Sequence, residues 1–229
     1  MRDLVRKTAE SLRNGAARAG VRLRGIGTDV SGVAMIEFAF TAPIILGLGI
    51  LGTETAHFVV THMKVSQVAM QVADNASRVG EQDVLVARKV YEDDINDVFA
   101  GARRSGESID LMARGRIILS SLQQNADGGQ WIAWQRCAGE KNFTSSYGGE
   151  GDGENGTGFA GMGDAASPIT ASAGTAVMFV EISYDYGSVT PFELFDNREI
   201  RYTAAFNVRD QRDLSQLYPS VSGQDAATC

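Results

Sequence analysis

The sequence is poor in the residues on which most enzyme active sites depend. It has only two histidines and two cysteines in 229 residues. The histidines, His57 and His62, are five residues apart, which places them about 140° apart around a helix and prevents them from sharing a metal ion. Residues 81–229 contain no histidine that could act as a base for Cys137, and the motifs H-E-x-x-H and G-x-S-x-G are absent. We therefore predict that the protein is not an enzyme and uses neither a metal nor a cofactor.

Basic residues are scarce beyond the N-terminal segment. Residues 1–32 carry seven Lys/Arg against three Asp/Glu, whereas residues 33–229 carry 14 basic and 25 acidic residues. Nucleic-acid-binding domains need a basic face, so the acidic body predicts no nucleic-acid partner. Basic residues beside an apolar span stay in the cytoplasm. The asymmetry therefore predicts that residues 1–32 form a basic cytoplasmic leader and that residues 53–229 lie on the other side of a membrane.

Long hydrophobic runs are also few, and the longest occupies residues 33–52 with a single charge, Glu37. About 20 apolar residues in a helix cross the roughly 30 Å hydrocarbon core of a bilayer, so this run predicts one membrane crossing. A carboxylate near the bilayer centre costs about 2.5–3.5 kcal/mol and usually marks a functional position. A removed secretory signal fits poorly, because the segment before the run is longer than such signals have.

The residues around Gly32 resemble a known processing site. Gly32, followed by V-A-M-I-E-F, is similar to the type IV prepilin cleavage site, and the run E-F-A-F-T-A-P-I-I-L resembles the TadE-like minor pilins and pseudopilins of tight-adherence (Flp) pilus systems. The later segment A-W-Q-R-C-A-G is also similar to that family. The resemblance implies that a prepilin peptidase cuts between Gly32 and Val33, and that Glu37, with Phe38 beside it, serves subunit assembly.

The same resemblance implies a set of partners and a location. The partners are the prepilin peptidase, the other pilins and pseudopilins of the system, the inner-membrane assembly platform and the lipid bilayer. The location is the bacterial inner membrane, with the C-terminal head in the periplasm or in an extracellular pilus. The residues themselves leave an alternative open, an uncleaved single-pass scaffold protein of an envelope or secretion complex, for which Gly32 has no role in processing.

The membrane helix is predicted to continue beyond the bilayer, so that one helix covers residues 33–80. Its second half is amphipathic, which is typical of a helix that packs on a protein core. The apolar stripe recurs every three or four residues and consists of Phe58, His62, Val65, Ala69, Val72, Ala76 and Val79.

Residues 81–229 are predicted to form an α+β head. The apolar pattern predicts a second helix over residues 84–102, in which the acidic run Glu92, Asp93 and Asp94 is expected to be solvated. Strand-like patterns and turn signals then predict strands at residues 114–123, 130–136, 175–186 and 200–208. The long N-terminal helix is expected to pack on this small antiparallel sheet, with one additional helix, an arrangement that resembles a pilin.

The remaining segments of the head are predicted to be irregular. Residues 139–174 are expected to form a long mobile loop that cannot pack a core, because eight of the 16 residues from 148 to 163 are glycine. Trp131 and Trp134 are expected to face opposite sides of their strand. Cys137 and Cys229 form a possible disulfide, with two free thiols as the alternative. Cys229 is the only predicted anchor of the polar tail, residues 209–229.

Overall fold

The computed structural model describes residues 31–80, 87–191, 195–196 and 198–229. Its helices are α1 (Ser31–Ala76), α2 (Glu92–Gly106) and the single turn α3 (Leu111–Arg114), with a 3-10 turn at Glu107–Ile109. Its strands are β1 (Gly115–Gln124), β2 (Gln130–Ala138), β3 (Ala176–Asp185) and β4 (Glu199–Asn207). The predicted α+β class and all four predicted strands are confirmed. The predictions for residues 1–30 and for residues 81–86 lie outside the described residues.

The structure divides after Thr53 into two compact units. In the first unit, residues 31–53 belong to α1, whose 46 residues correspond to about 69 Å of helix. The described helix Gly32–Ala76 contains an 18-residue window with mean hydropathy 2.0. By length and composition it is able to cross a membrane once. Pro43 lies inside α1, where its ring removes one backbone hydrogen bond of the helix.

The second unit, Glu54–Cys229, is the head, and it contains a four-stranded antiparallel sheet in the order β2-β1-β3-β4. One face of this sheet carries the main hydrophobic core, where Ile117 opposes Ile182 and Leu119 opposes Val180. The same cluster includes side chains of α1 and α2. The α1 residues buried in it are Val65, Val68, Ala69, Val72, Ala73 and Ala76. The predicted stripe is thus confirmed in its central part, although His62 is exposed.

The other face of the sheet is covered by the glycine-rich segment, residues 139–174. Met162 and Ala171 of this segment are buried in a second hydrophobic cluster. The prediction that the segment cannot pack a core is therefore wrong. Gly153 has φ +81°, and a Cβ there would lie 2.3 Å from the carbonyl oxygen of Gln130, so this glycine allows the segment to lie against β2. The sheet residues in the second cluster are Leu122, Ile132, Val177 and Phe179.

The second helix begins later than predicted. Residues 88–91 are not helical, because Arg88 and Tyr91 form isolated parallel bridges with Arg212 and Tyr218 of the tail. The backbone N–H of Asp213 donates to the Arg88 carbonyl, and the N–H of Tyr218 donates to the Val90 carbonyl. The tail therefore forms hydrogen bonds with backbone groups of residues 88–91 that a helix over residues 84–102 would have used for its own hydrogen bonds.

The two tryptophans lie on one side of the sheet rather than on opposite sides. Trp134 opposes Ser121 and Trp131 opposes Gln123, although only Leu122 separates these partners on β1. β2 thus has one extra residue between the two tryptophans, a β-bulge at Ala133. The bulge reverses the alternation of side chains, which is why the spacing of three gave the wrong prediction.

Candidate functional site

The residues predicted to mediate processing and assembly lie together at the start of α1. Gly32 and Val33 occupy its first turn, and Glu37 and Phe38 follow about one turn later. All four are exposed, Phe38 to 71%.

The apolar side chains of residues 33–51 are also exposed. The large ones are Val33, Met35, Ile36, Phe38, Phe40, Ile44, Ile45, Leu46, Leu48 and Leu51, exposed to between 43% and 75%. A Cβ added at Gly47, Gly49 or Gly52 would meet no atom within 4 Å. Packing within the chain therefore does not require these glycines, whereas close approach of a neighbouring helix in lipid does favour small residues at such positions.

A buried carboxylate marks the point where α1 enters the head. Glu54 is only 1% exposed. Its Oε1 accepts hydrogen bonds from the hydroxyls of Tyr186 (2.8 Å) and Ser188 (2.7 Å). Its Oε2 accepts from the backbone N–H groups of Val189 (3.2 Å) and Thr190 (3.0 Å). Four donors around one carboxylate favour its ionised form, so Glu54 is a fixed negative charge that holds residues 188–190 against α1.

Tyr186 connects the Glu54 carboxylate to two aromatic side chains of α1, His57 and Phe58. Its hydroxyl donates its only hydrogen to Glu54, so in the 2.8 Å contact with His57 the ring Nδ1 is the donor. Burial raises the pKa of Tyr186, and the hydrogen bond to Glu54 and the negative charge of Glu54 raise it further. The Tyr186 ring also packs edge-on against Phe58, with ring centroids 5.0 Å apart. The hydroxyl therefore stays protonated and serves as a structural donor.

Sequence reasoning missed Glu54, although a signal was present. Glu54, Phe58, Thr61 and Val65 follow one another at spacings of four, three and four residues, so Glu54 continues the stripe that faces the core. A glutamate at such a position predicts a buried partner. The partners themselves come from residues 186–190, more than 100 residues away, and no local pattern identifies them.

The acidic run at the start of α2 is bound in place rather than solvated, so that prediction is wrong. Glu92 is buried, and its carboxylate pairs with Arg136 of β2, with Nη2–Oε1 at 2.6 Å. Arg136 also binds Glu150 through Nη1 at 2.8 Å. Burial lowers the pKa of Arg136, but Glu92 and then Glu150 outweigh this effect and hold it above its ordinary value. Asp94 accepts a hydrogen bond from the Tyr91 N–H and so caps the helix.

Breaking this buried ion pair is expected to destabilise the head strongly. Arg136→Met removes the partner of a buried carboxylate while preserving much of the side-chain volume, and it should lower the free energy of unfolding by about 3–5 kcal/mol. Denaturant unfolding of the detergent-solubilised full chain measures the change. Arg78→Met is the matched control, because Arg78 pairs with Asp74 on the surface of α1 and such pairs contribute only about 0.3–0.5 kcal/mol. Equal losses in the two variants would contradict the role assigned to the buried pair.

Asp93 binds the C-terminal tail. Its carboxylate accepts hydrogen bonds from the Ser220 and Ser222 hydroxyls and from the backbone N–H groups of Val221 and Ser222. These bonds, the Ser220 hydroxyl first among them, hold the pKa of Asp93 well below its usual value. Cys229 is therefore not the only anchor of the tail, which corrects the prediction.

Cys137 of β2 and Cys229 are joined by a disulfide, with their Cα atoms 4.9 Å apart. The backbone N–H of Cys137 also donates to the Ala227 carbonyl at 2.7 Å. A cavity of about 620 Å³ lies beside this disulfide. Two of its polar side chains are hydrogen-bonded within the fold. Arg116 donates through Nη1 to the Gly139 carbonyl, although its Nε has no partner, and Gln135 donates to Ser120 and Gly148.

Within the described residues, no three His, Cys, Asp or Glu side chains form a group able to hold a metal ion. Two groups of residues remain as candidates, the exposed apolar start of α1 and the hydrogen-bonded cluster around Glu54. No family model, no curated protein and no solved structure matches this chain.

Proposed function

We propose that this chain is a TadE-like minor pilin or pseudopilin of a tight-adherence pilus. In this proposal residues 33–52 of α1 cross the bacterial inner membrane, the leader is cytoplasmic, and the head is periplasmic or part of an extracellular pilus. A prepilin peptidase removes residues 1–32, and any catalysis belongs to that peptidase. The observation that carries the proposal is the order Gly32, Glu37, Phe38 at the beginning of an exposed apolar helix that continues into an α+β head.

The surface of α1 supports this assignment. Its apolar side chains are exposed through residues 33–51, so they need lipid or other helices around them to be stable. Glycines that no intrachain contact requires suit close helix packing in a membrane. The head has its own core, which includes the second half of α1. The resemblance implies this arrangement, in which the N-terminal half of an anchored helix is apolar and its C-terminal half packs on a head.

The chemistry of Glu37 supports an assembly role. Cleavage after Gly32 gives Val33 a free α-amine, which is charged at neutral pH because amines of this kind have a pKa of about 8. A carboxylate and an ammonium group are each costly in a low-dielectric environment, and pairing them offsets that cost. Glu37 of one subunit can therefore bind the new N-terminus of a neighbour and set the register between them. This pairing requires both the cleavage and the exposed position of Glu37.

The N-terminus of the mature chain tests the proposal. When the protein is produced with an active prepilin peptidase, mass spectrometry should find Val33 as the first residue. Gly32→Ala should leave residues 1–32 attached, because the resemblance implies that the peptidase requires glycine at this position. Ala34→Gly is a suitable control two residues away and should be processed normally.

An intact leader in the unaltered chain, in cells that process other prepilins, would contradict the proposal. The protein would then be better described as an uncleaved single-pass scaffold of an envelope or secretion complex. For such a scaffold, Gly32→Ala should have no effect on function. Membrane anchoring does not distinguish the two, because both the pilin and the scaffold would be anchored.

A further inference from the structure

We infer that the loop of residues 187–191, held in place by Glu54, is a second membrane contact, in which Val189 enters the lipid headgroup layer. The inference rests on the proposed membrane crossing of residues 33–52. It adds a lipid-facing surface on the head itself.

The position of Glu54 along α1 sets the depth of this loop. Glu54 follows Gly52 by two residues, so the length of the chain alone keeps it within about 7 Å of Gly52. The headgroup regions add about 5–7 Å on each side of the hydrocarbon core. Residue 54 therefore lies within the headgroup layer when residues 33–52 fill the core. Because the Val189 N–H donates to Glu54 at 3.2 Å, the loop lies in the same layer.

The charge of Glu54 does not oppose this placement, because it is buried in the head. Apart from Glu54, residues 38–63 contain no Lys, Arg, Asp or Glu. The solvent-facing side of α1 thus remains uncharged well past Glu54, and Val59, Val60 and Met63 are each at least half exposed on it.

The surface of the loop suits the lipid interface. Residues 187–191 read G-S-V-T-P and carry no charge. Val189 is 58% exposed, one of the few large apolar side chains exposed in the described head. The guanidinium of Arg114 lies so close to Gly187 that a methyl group there would collide with it, and Arg114 is exposed. The exposed valine can enter the interface, and the nearby guanidinium adds a favourable interaction with anionic headgroups.

Site-specific fluorescence in vesicles tests the inference. The full chain carrying Val189→Cys is labelled with an environment-sensitive dye and reconstituted into vesicles of phosphatidylcholine and phosphatidylglycerol. The native disulfide leaves the new thiol as the reactive one. We expect the emission to shift to shorter wavelength and iodide quenching to be largely lost. Val221→Cys is the matched control, an exposed valine held by Asp93 on the tail, and its label should remain fully quenched by iodide.

A further variant tests the role of Glu54. Glu54→Gln replaces one acceptor oxygen by an amide group that cannot accept from the loop donors. In the Val189→Cys background it should restore much of the iodide quenching, while the chain still floats with the vesicles. If the chain floats but the label at residue 189 is quenched as strongly as that at residue 221, the inference is wrong and the membrane crossing stands. If the unaltered chain does not float with vesicles, both the crossing and this inference are wrong.

Discussion

Changing Glu37 to Gln is expected to stop assembly of the proposed pilus while leaving membrane insertion and removal of the leader intact. The substitution keeps the size and polarity of the side chain but removes its charge. The exposed position of Glu37 in the second turn of α1 makes it available to a neighbouring subunit. Counting surface pili by electron microscopy, in a strain that carries the variant as its only copy, measures the outcome.

The physical reason is the cost of an unpaired charge in lipid. A charged group costs about 2.5–3.5 kcal/mol at the bilayer centre on insertion scales, and a smaller cost applies at Glu37, which is four residues inside the span. Glutamine is cheaper to insert, so anchoring should be at least as good in the variant. It does not neutralise the α-amine of Val33 on the next subunit, however, so that amine would be left unpaired. Losing this pairing at each addition of a subunit is expected to abolish assembly.

The control is the same substitution at a glutamate of the head surface. Glu107 is exposed, and Glu107→Gln should change neither anchoring nor pilus number. Normal pilus numbers in the Glu37→Gln strain would show that the charge is not needed, and the proposed register between Glu37 and Val33 would have to be abandoned. Loss of pili with an uncleaved leader would instead indicate a processing defect, which mass spectrometry of the variant reveals.

The strands and the long helix were predictable because their signals are local. β3 is a ten-residue segment with seven apolar residues, and β1 has four apolar residues, all between Ile117 and Leu122. The hairpin between β1 and β2 is marked by N-A-D-G-G, and Asn125 does accept hydrogen bonds there from Asp127 and Gly129. The heptad-like stripe of α1 likewise predicted the central core residues Val65, Ala69, Val72 and Ala76. It wrongly included His62, which is exposed, and it missed Val68 and Ala73.

The incorrect predictions concern residues whose partners are far away in sequence. Glu92 looks like part of a solvated acidic run, yet its partner Arg136 lies 44 residues further on. The glycine content of residues 139–174 also led to a wrong prediction. Glycines contribute no side chain to a core, but they let the backbone approach β2 closely, as Gly153 does. In both cases the tertiary partner, rather than the local pattern, determines what the residue does.

The tail is the clearest case of such long-range stabilisation, and removing its disulfide is expected to have the largest effect on the stability of the head. Cys137 and Cys229 are 92 residues apart in sequence. Closing a loop of this length reduces the entropy of the unfolded chain by an amount worth about 4–5 kcal/mol in the loop-closure model. The variant that combines Cys137→Ser and Cys229→Ser should therefore unfold at a much lower denaturant concentration than the unaltered chain.

The noncovalent contacts of the tail should keep it bound to the folded head when the disulfide is removed. The expected loss of stability then comes from the greater freedom of the unfolded chain. Asp93 and Arg88 bind the tail through its hydrogen bonds and backbone bridge, so the serine variant should keep the native tail position in the absence of denaturant. Reducing the unaltered chain with dithiothreitol should produce the same loss of stability, and the serine variant should not respond to the reductant. A loss well under the expected value in both experiments would mean that the unfolded chain gains little freedom without the bridge, and that the tail is held mainly by Asp93 and its neighbours.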